Sequence, residues 1–224
     1  MEKLKTKISW HHLFLQAIVV FLGVTVAFLL NNWASNRHEK KLVKLYKQAL
    51  LEDVSTNINE LKRAVKNDSL WIKSTGNLLD YLDEHQSAVV DSLQIIFDRT
   101  RYAHRVNPQK ATYHSMEASG QLNLLSDFNL KKEIVKYYNG SVVKVEYAEN
   151  YLWNFINSEV IPHALISYNR HEKEFLNPQR DAVRYLNNLI TVHIAKEQIL
   201  FYYRELLSHS EYLKSELERN IDES

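Results

Sequence analysis

Apolar residues follow one another almost without interruption through residues 13–30, near the start of the chain. The stretch holds no charged side chain, and Gln16 and Thr25 are its only polar residues. A helix of about 18 residues is roughly 27 Å long, close to the ~30 Å hydrocarbon core of a bilayer. Trp10 and Trp33 lie on either side of the stretch, and indole rings favour the membrane–water interface. The pattern predicts one membrane-spanning helix with Trp10 and Trp33 as interface anchors.

Two other interpretations of this stretch are weaker. A cleaved signal peptide also begins with a basic segment, but its apolar run is usually ~7–15 residues long and ends in small residues. Here the run is longer, and residues 31–35 (NNWAS) form a poor cleavage site. A buried helix of a soluble protein is the weakest interpretation, because no polar face interrupts the run. An uncleaved anchor is therefore the favoured interpretation.

The charges around the span bear on its orientation. Lys3, Lys5 and Lys7 outnumber Glu2 in the N-terminal tail, which favours a cytoplasmic N-terminus. A basic segment also follows the span and argues the reverse, but long domains translocate largely regardless of charge. We expect a single-pass inner-membrane protein with an extracytoplasmic C-terminal domain. Its predicted parts are a short cytoplasmic tail (1–12), a transmembrane helix (13–33) and a helical soluble domain (34–224).

Beyond the span, apolar residues recur every three or four positions, as on one face of an α-helix. The whole chain has only 4 Gly and 3 Pro, which favours long helices over hairpins. These features predict an all-α fold, in which the transmembrane helix continues into an elongated antiparallel helical bundle. The predicted helices cover residues 36–66, 70–85, 89–101, 112–119, 130–160 and 180–219, with a turn and helix cap at 67–69.

Several residues mark the ends of these helices. Gly120 fits the left-handed position after a helix, and Ser126 or Asp127 is a credible N-cap. The Asn139-Gly140 pair often marks a turn, but helical spacing continues on both sides, so one helix with a kink is favoured. Pro162 is expected to bend or end that helix, and Asn177-Pro178 to break the chain. The apolar stripe predicted for the last helix is Val183, Leu186, Ile190, Leu200, Tyr203, Leu207 and Leu217.

Composition limits the chemistry of the chain. The net charge of +1 gives no basic excess of the kind that marks nucleic-acid binding, and without cysteine there is neither a disulfide nor a thiol nucleophile. No His-Glu-x-x-His pair, glycine-rich phosphate loop or nucleophile elbow is present, so no catalytic, cofactor or metal residue is predicted. His193 and Glu197 are four residues apart and form a candidate pH-sensitive contact, although a partnered core histidine is the stronger interpretation.

Tyrosine is abundant, with 13 residues including the pairs Tyr137-Tyr138 and Tyr202-Tyr203. Tyrosine suits interfaces because one end of its ring is apolar and the other remains hydrated. Core packing between long helices is the favoured role for most of these rings. A binding surface around Tyr147, Tyr151 and Trp153 is the alternative.

One face of the span carries small and polar residues in steps of three and four. Its members form a candidate transmembrane self-association face: Gln16, Val20, Gly23, Ala27 and Asn31. Gly23 and Ala27 are small enough to let two helices approach closely, and Gln16 can hydrogen-bond across such an interface. The face predicts self-association of the span as one option for this chain.

Two motifs resemble a family of small bacterial single-span membrane proteins of unknown function. The first is the Asn31-Asn32-Trp33 triplet that ends the span. The second is the stretch TYHSMEASGQLNLL at 112–125, followed by a helix that ends in Tyr137-Tyr138. The resemblance covers roughly half of the chain and implies a membrane anchor with a helical domain. It brings no activity, and neither motif is chemically specific.

These observations together favour a protein that acts by binding. The expected role is a scaffold or accessory subunit of an envelope complex, with the lipid bilayer, a second copy or another membrane protein as partner. A ligand-sensing module that signals through a partner is the first alternative, because a tail of about a dozen residues cannot hold an output domain. A membrane-tethered hydrolase is the second, and it lacks a recognisable nucleophile, metal or cofactor motif.

Overall fold

A computed structural model describes residues 10–101, 104–169, 171–172 and 174–222. Most of the predicted cytoplasmic tail therefore lies outside the described residues. The predicted all-α fold is confirmed, and the exception is a hairpin of two-residue strands, β1 (Tyr168–Asn169) and β2 (Glu174–Phe175). The helices are α1 (Trp10–Glu84), α2 (Ala88–Asp91), α3 (Leu93–Thr100), α4 (Ala111–Ala118), α5 (Phe128–Lys136), α6 (Val143–Phe155), α7 (Ile161–Ser167) and α8 (Pro178–Asp222).

The chain divides into two compact units, one ending at Tyr46 and the other beginning at Lys47. In the first unit, α1 carries the apolar stretch recognised in the sequence. The most apolar window of this helix has a mean hydropathy of 2.2, and none of it is buried. By length and composition, α1 is the one helix among the described residues that is able to cross a membrane.

The predicted turn at residues 67–69 is wrong, because α1 continues through it without a break. Asp68 is not a cap: its side chain is buried and lies 2.8 Å from the Nζ of Lys196 on α8. Asn, Asp and Ser favour turns through local hydrogen bonds to the backbone. Here Asp68 makes a long-range ion pair instead, so the local turn signal is overridden.

Twelve of the fifteen buried positions of α8 form a series in which steps of three and four residues alternate. This spacing is typical of helices that pack side by side along their length. The positions are Ala182, Tyr185, Leu189, Val192, Lys196, Ile199, Tyr203, Leu206, Ser210, Leu213, Leu217 and Asn220. The predicted apolar stripe is therefore partly wrong: Val183 and Ile190 are exposed, whereas Lys196 is buried. The hydrophobic pattern did not predict this stripe correctly, because polar residues such as Lys196 occupy some of its buried positions.

The part of α1 that starts at Lys47 has the same spacing and lies antiparallel to α8. The Nζ of Lys47 donates to the carbonyl oxygen of Asn220 at 3.0 Å, near the end of α8. Further along α1, Lys62 forms an ion pair with Glu211 at 2.9 Å. Gly76 then lies opposite His193 (a Cβ built on Gly76 would be 3.7 Å from the ring carbon Cε1). The order of these three contacts shows that the two helices run in opposite directions.

A helical column of α5, α6 and α7 packs against α8, and two π-helical turns, Tyr137–Val142 and Ile156–Val160, join its parts. The Asn139-Gly140 pair lies inside the first π-helical turn, which agrees with a helix that continues through it. Pro162 follows the second and occupies the first turn of α7, where a missing backbone N–H is tolerated. The helix thus does not end at Pro162 but continues to Ser167.

Two predicted helix-end signals are confirmed. Gly120 has φ of 71°, the left-handed conformation that glycine adopts at least cost, and it follows α4. The Asp127 carboxylate accepts hydrogen bonds from the backbone N–H groups of Asn129 and Leu130, and so caps α5. The predicted break at Asn177-Pro178 also holds, because α8 begins at Pro178.

We expect the buried Asp68–Lys196 pair to be a strong determinant of stability. Replacing Lys196 with Met leaves a carboxylate in the core without its ammonium partner, which costs about 3–5 kcal/mol. In the double variant D68L/K196M both charges are absent, and most of that loss should be recovered. The measurement is urea unfolding of the detergent-solubilised chain followed by circular dichroism. The control is Lys62→Met, which removes an exposed pair worth about 1 kcal/mol or less.

Candidate functional site

A groove between α6 and α8 has a volume of about 640 Å³. We call it the tyrosine groove. Val143, Lys144, Tyr147, Ala148 and Tyr151 line it from α6. Thr191, Ile194, Ala195, Gln198 and Tyr202 line it from α8. Lys144 is the only charged residue in this lining, so the surface is mainly apolar and aromatic.

Helical periodicity explains why these residues share a face. Val143, Tyr147 and Tyr151 are four residues apart and project from the same side of α6. Val145 and Leu152 of the same helix point the other way and are buried in the core. The helix is thus apolar on two sides, and its neighbours within the described residues cover only one of them.

The exposed fractions of these side chains are unusually large. Tyr147 is 76% exposed, Tyr151 62% and Ile194 58%. Scattered exposed apolar residues are normal on a protein surface, but a contiguous set of large ones typically marks an interaction site. On the α8 side, the amide of Gln198 donates to the Tyr202 hydroxyl at 3.2 Å, which orients the ring.

A buried carboxylate on α6 joins the two helices that line the groove. Glu149 accepts a hydrogen bond from the Tyr203 hydroxyl of α8 at 2.6 Å and one from the backbone N–H of Val106 at 2.8 Å. Burial raises the pKa of Glu149, although these hydrogen bonds and the nearby Arg105 guanidinium act in the opposite direction. The hydrogen bond from Tyr203 to Glu149 therefore joins α8 to α6, the two helices that line the groove.

The structure brings together two of the three residues of the predicted binding surface. Tyr147 and Tyr151 line the groove, whereas Trp153 is 41% exposed and does not belong to the lining. Ile194 and Tyr202 were not among the predicted residues, because they come from α8, more than 40 residues away in sequence. The only local signal of the site was the four-residue spacing of Val143, Tyr147 and Tyr151 on α6.

The tyrosines of the 112–139 motif are core residues. The rings of Tyr113 and Tyr138 stack with centroids 4.5 Å apart, and Tyr137 meets Tyr138 edge-on at 4.8 Å. All three are buried, and the side chain of Asn139 donates to the Tyr113 hydroxyl at 2.8 Å. The motif therefore ties α4 to the first π-helical turn, and its role is structural.

The polar clusters of the bundle have the geometry of structural contacts. Ser167, His163 and Asp181 are close together, but the Ser167 hydroxyl bonds to the His163 carbonyl oxygen and the Tyr185 hydroxyl rather than to the imidazole. That arrangement does not activate a nucleophile. The predicted His193–Glu197 pair is formed, with 3.6 Å between the imidazole Nε2 and a carboxylate oxygen. No group of three or more metal-ligating His, Asp or Glu side chains occurs among the described residues.

The candidate self-association face lies on the exposed surface of α1. Gln16, Val20, Gly23, Ala27 and Asn31 are all exposed, and a Cβ built on Gly23 meets no atom within 4 Å. The interface anchors Trp10 and Trp33 are also exposed. The guanidinium of Arg37 lies 5.5 Å from the Trp33 ring centroid, a cation–π contact.

Comparison with known proteins adds no relative: the chain matches no protein-family model, no curated protein and no solved structure.

His209 is a largely buried histidine that joins α8 to the α5–α6 column. Its Nδ1 lies 2.8 Å from the Ser141 hydroxyl, and its Nε2 lies 3.4 Å from Glu133. Its ring meets the Tyr137 ring edge-on. Burial lowers the pKa of His209 and the nearby Lys136 adds to this, whereas Glu133 opposes it.

This environment predicts a loss of stability in mild acid. Because the pKa of folded His209 lies below the ordinary value of 6.5, the unfolded chain takes up the proton first. The free energy of unfolding should therefore fall as the pH drops below about 6.5. In His209→Gln this part of the pH dependence should disappear, whereas His171→Gln, at an exposed loop position, should retain it. Urea unfolding between pH 5 and 8 measures the difference, and identical profiles for wild type and His209→Gln would contradict the assignment.

Proposed function

We propose that this chain is a single-pass membrane-anchored helical protein that acts by binding, as a scaffold or accessory subunit of an envelope complex. The tyrosine groove is its docking site, and the occupant is an amphipathic helix of another membrane protein. The observation that carries the proposal is the exposed set of Tyr147, Tyr151 and Ile194 on two packed helices. A binding role is sufficient to explain this exposed apolar set.

The shape of the groove favours a helix as the occupant. Its two walls are helices that present residues every three or four positions, over about three turns on α8. A surface of this kind accepts the ridge of a third helix, whose anchors recur at i, i+3, i+4 and i+7. The apolar lining with a single lysine favours an apolar face flanked by polar or acidic residues.

The apolar part of α1 supports the membrane part of the proposal. An anchor confines the protein to the bilayer, and a partner in the same membrane is then present at a high effective concentration. A groove of modest area is sufficient under those conditions. We place the anchor in the inner membrane with the N-terminus in the cytoplasm, following the charges of the tail. The resemblance to the bacterial single-span family agrees with this arrangement and stays a prediction.

Site-specific photo-cross-linking in intact membranes tests the docking site. A photoreactive phenylalanine analogue at Tyr151 should form an adduct with one membrane protein, through a peptide of helical, amphipathic sequence. The same analogue at Tyr212, an exposed tyrosine outside the groove, is the matched control and should not form that adduct. Ile194→Lys places a charge in the groove and should reduce the Tyr151 adduct about tenfold or more.

Three outcomes would contradict this proposal. They are an adduct from Tyr212 but not from Tyr151, an adduct that Ile194→Lys leaves unchanged, and an adduct with a second copy of this chain. The purified partner should also bind the wild-type chain in detergent and bind Ile194→Lys more weakly. A fusion of alkaline phosphatase after Ser224 tests the orientation, and the proposed arrangement requires high activity.

Self-association through the span is a separate prediction. If Gly23 and Ala27 lie in a helix–helix interface, Gly23→Ile should abolish dimerisation in a membrane two-hybrid assay by keeping the helices apart. A Cβ built on Gly23 meets no atom within 4 Å, so a lost signal reports on the interface rather than on folding. Val24→Ile, on a neighbouring face, is the control, and an unchanged signal for Gly23→Ile would reject this face.

A further inference from the structure

Residues 104–110 form a non-helical segment between α3 and α4, which we call the strap. Burial alternates along it: Val106 and Pro108 are buried, whereas Arg105, Asn107 and Gln109 are exposed. Such alternation is characteristic of an extended backbone, in which successive side chains point to opposite sides. The residue before a proline also favours extended conformations, which agrees with Asn107 preceding Pro108. The strap therefore resembles an extended peptide with two apolar anchors.

Helix α1 holds one side of the strap by its backbone. Asn57 accepts from the backbone N–H of Gln109 at 2.6 Å, and its amide donates to the carbonyl oxygen of the same residue at 3.2 Å. Glu60 accepts from the N–H of Asn107 at 3.1 Å. One helical turn before Asn57, Asp53 accepts from the N–H of Thr112, just beyond the strap. A site that contacts the backbone can bind peptides of many sequences, because every residue except proline has the same N–H and C=O groups.

Helix α6 contacts the other side of the strap and provides partners for its two cationic side chains. Glu149 accepts from the backbone N–H of Val106 at 2.8 Å, and its second carboxylate oxygen lies 3.7 Å from the Arg105 guanidinium. The side chain of Arg105 also donates to Asn150 at 2.6 Å. Lys110, at the far end of the strap, forms an ion pair with Glu146 at 2.5 Å. The two cations of the strap therefore meet side chains of one helix.

Six side chains contact the strap or, in the case of Asp53, the backbone just beyond it: Asp53, Asn57, Glu60, Glu146, Glu149 and Asn150. We call them the strap groove. On each helix they recur in steps of one, three or four residues and so share one face. Four of the six are carboxylates, and they face a segment whose charged side chains are Arg105 and Lys110. Backbone hydrogen bonds with alternating anchors are the general means by which proteins bind extended peptides.

We propose that the strap groove is a binding site for extended basic peptides, and that residues 104–110 occupy it as an intramolecular ligand. The matching partner carries two cationic residues about five positions apart, with an apolar residue and a proline between them. The tethered strap competes with such a partner at high effective concentration. Binding in trans therefore requires the strap to open. This site is separate from the tyrosine groove, so either proposal can fail without the other.

The test uses the detergent-solubilised full chain and a fluorescent peptide with the sequence of residues 104–111 (HRVNPQKA). In the double variant R105A/K110A the strap loses its charged contacts while the strap groove is intact. The peptide should bind this variant about tenfold or more tightly than it binds wild type, because competition from the strap is weaker. Adding Asn57→Ala should weaken that binding about tenfold, since it removes both hydrogen bonds to the backbone of the residue equivalent to Gln109.

A peptide in which the arginine and lysine are replaced by glutamate is the control and should not bind. Equal affinity for wild type and R105A/K110A, indifference to Asn57→Ala, or binding of the glutamate peptide would each overturn the proposal. If R105A/K110A is not folded by circular dichroism, wild type decides the question by hydrogen exchange. Excess peptide should then speed exchange of the Val106, Asn107 and Gln109 amides as the strap is displaced, and unchanged exchange would overturn the proposal.

Discussion

The packing of α1 against α8 depends on polar side chains that lie inside an otherwise apolar seam. Asp68 and Lys196 are both almost fully buried, and each ion loses several kcal/mol of hydration on burial. That cost is offset only where the two charges meet, so one register of the helices is strongly preferred. Asn57 of α1 and Ser210 of α8 restrict the register further, because both donate hydrogen bonds to the Tyr137 hydroxyl in the core. An all-apolar seam would tolerate sliding of one helix along the other, whereas this one does not.

The register of that seam determines where the outer elements lie. Tyr203 lies on the seam of α8, and its hydroxyl reaches Glu149, which fixes α6 beside α8. The same carboxylate holds the backbone of Val106, so one buried residue joins α6, α8 and the strap. The tyrosine groove and the strap groove lie on different faces of α6. The outward face presents exposed rings, and the other presents carboxylates to a basic segment. One short helix therefore contributes residues to both of the proposed binding sites.

The two compact units of the chain differ in how far their apolar residues are exposed. Up to residue 46, no residue in the most apolar window of α1 is buried, and exposure of apolar surface to water is unfavourable by roughly 25 cal/mol per Å². From residue 47 onward, the same helix has a buried stripe and a solvated face, as expected for an aqueous environment. A membrane around the first part removes the unfavourable exposure. The contrast between the two parts of one helix is thus the physical basis of the anchor hypothesis.

Local patterns alone determined much of this protein. The uninterrupted apolar run, the scarcity of Gly and Pro, the left-handed Gly120 and the Asp127 cap all depend on neighbouring residues, and all are visible in the sequence. Tertiary structure decided the rest. Residues 67–69 have turn chemistry but remain helical, because Asp68 finds a partner 128 positions away. The seam of α8 was hidden because Lys196, Ser210 and Asn220 are polar yet buried. The tyrosine groove combines side chains of two distant helices, and its contacts depend on a register that only long-range packing sets.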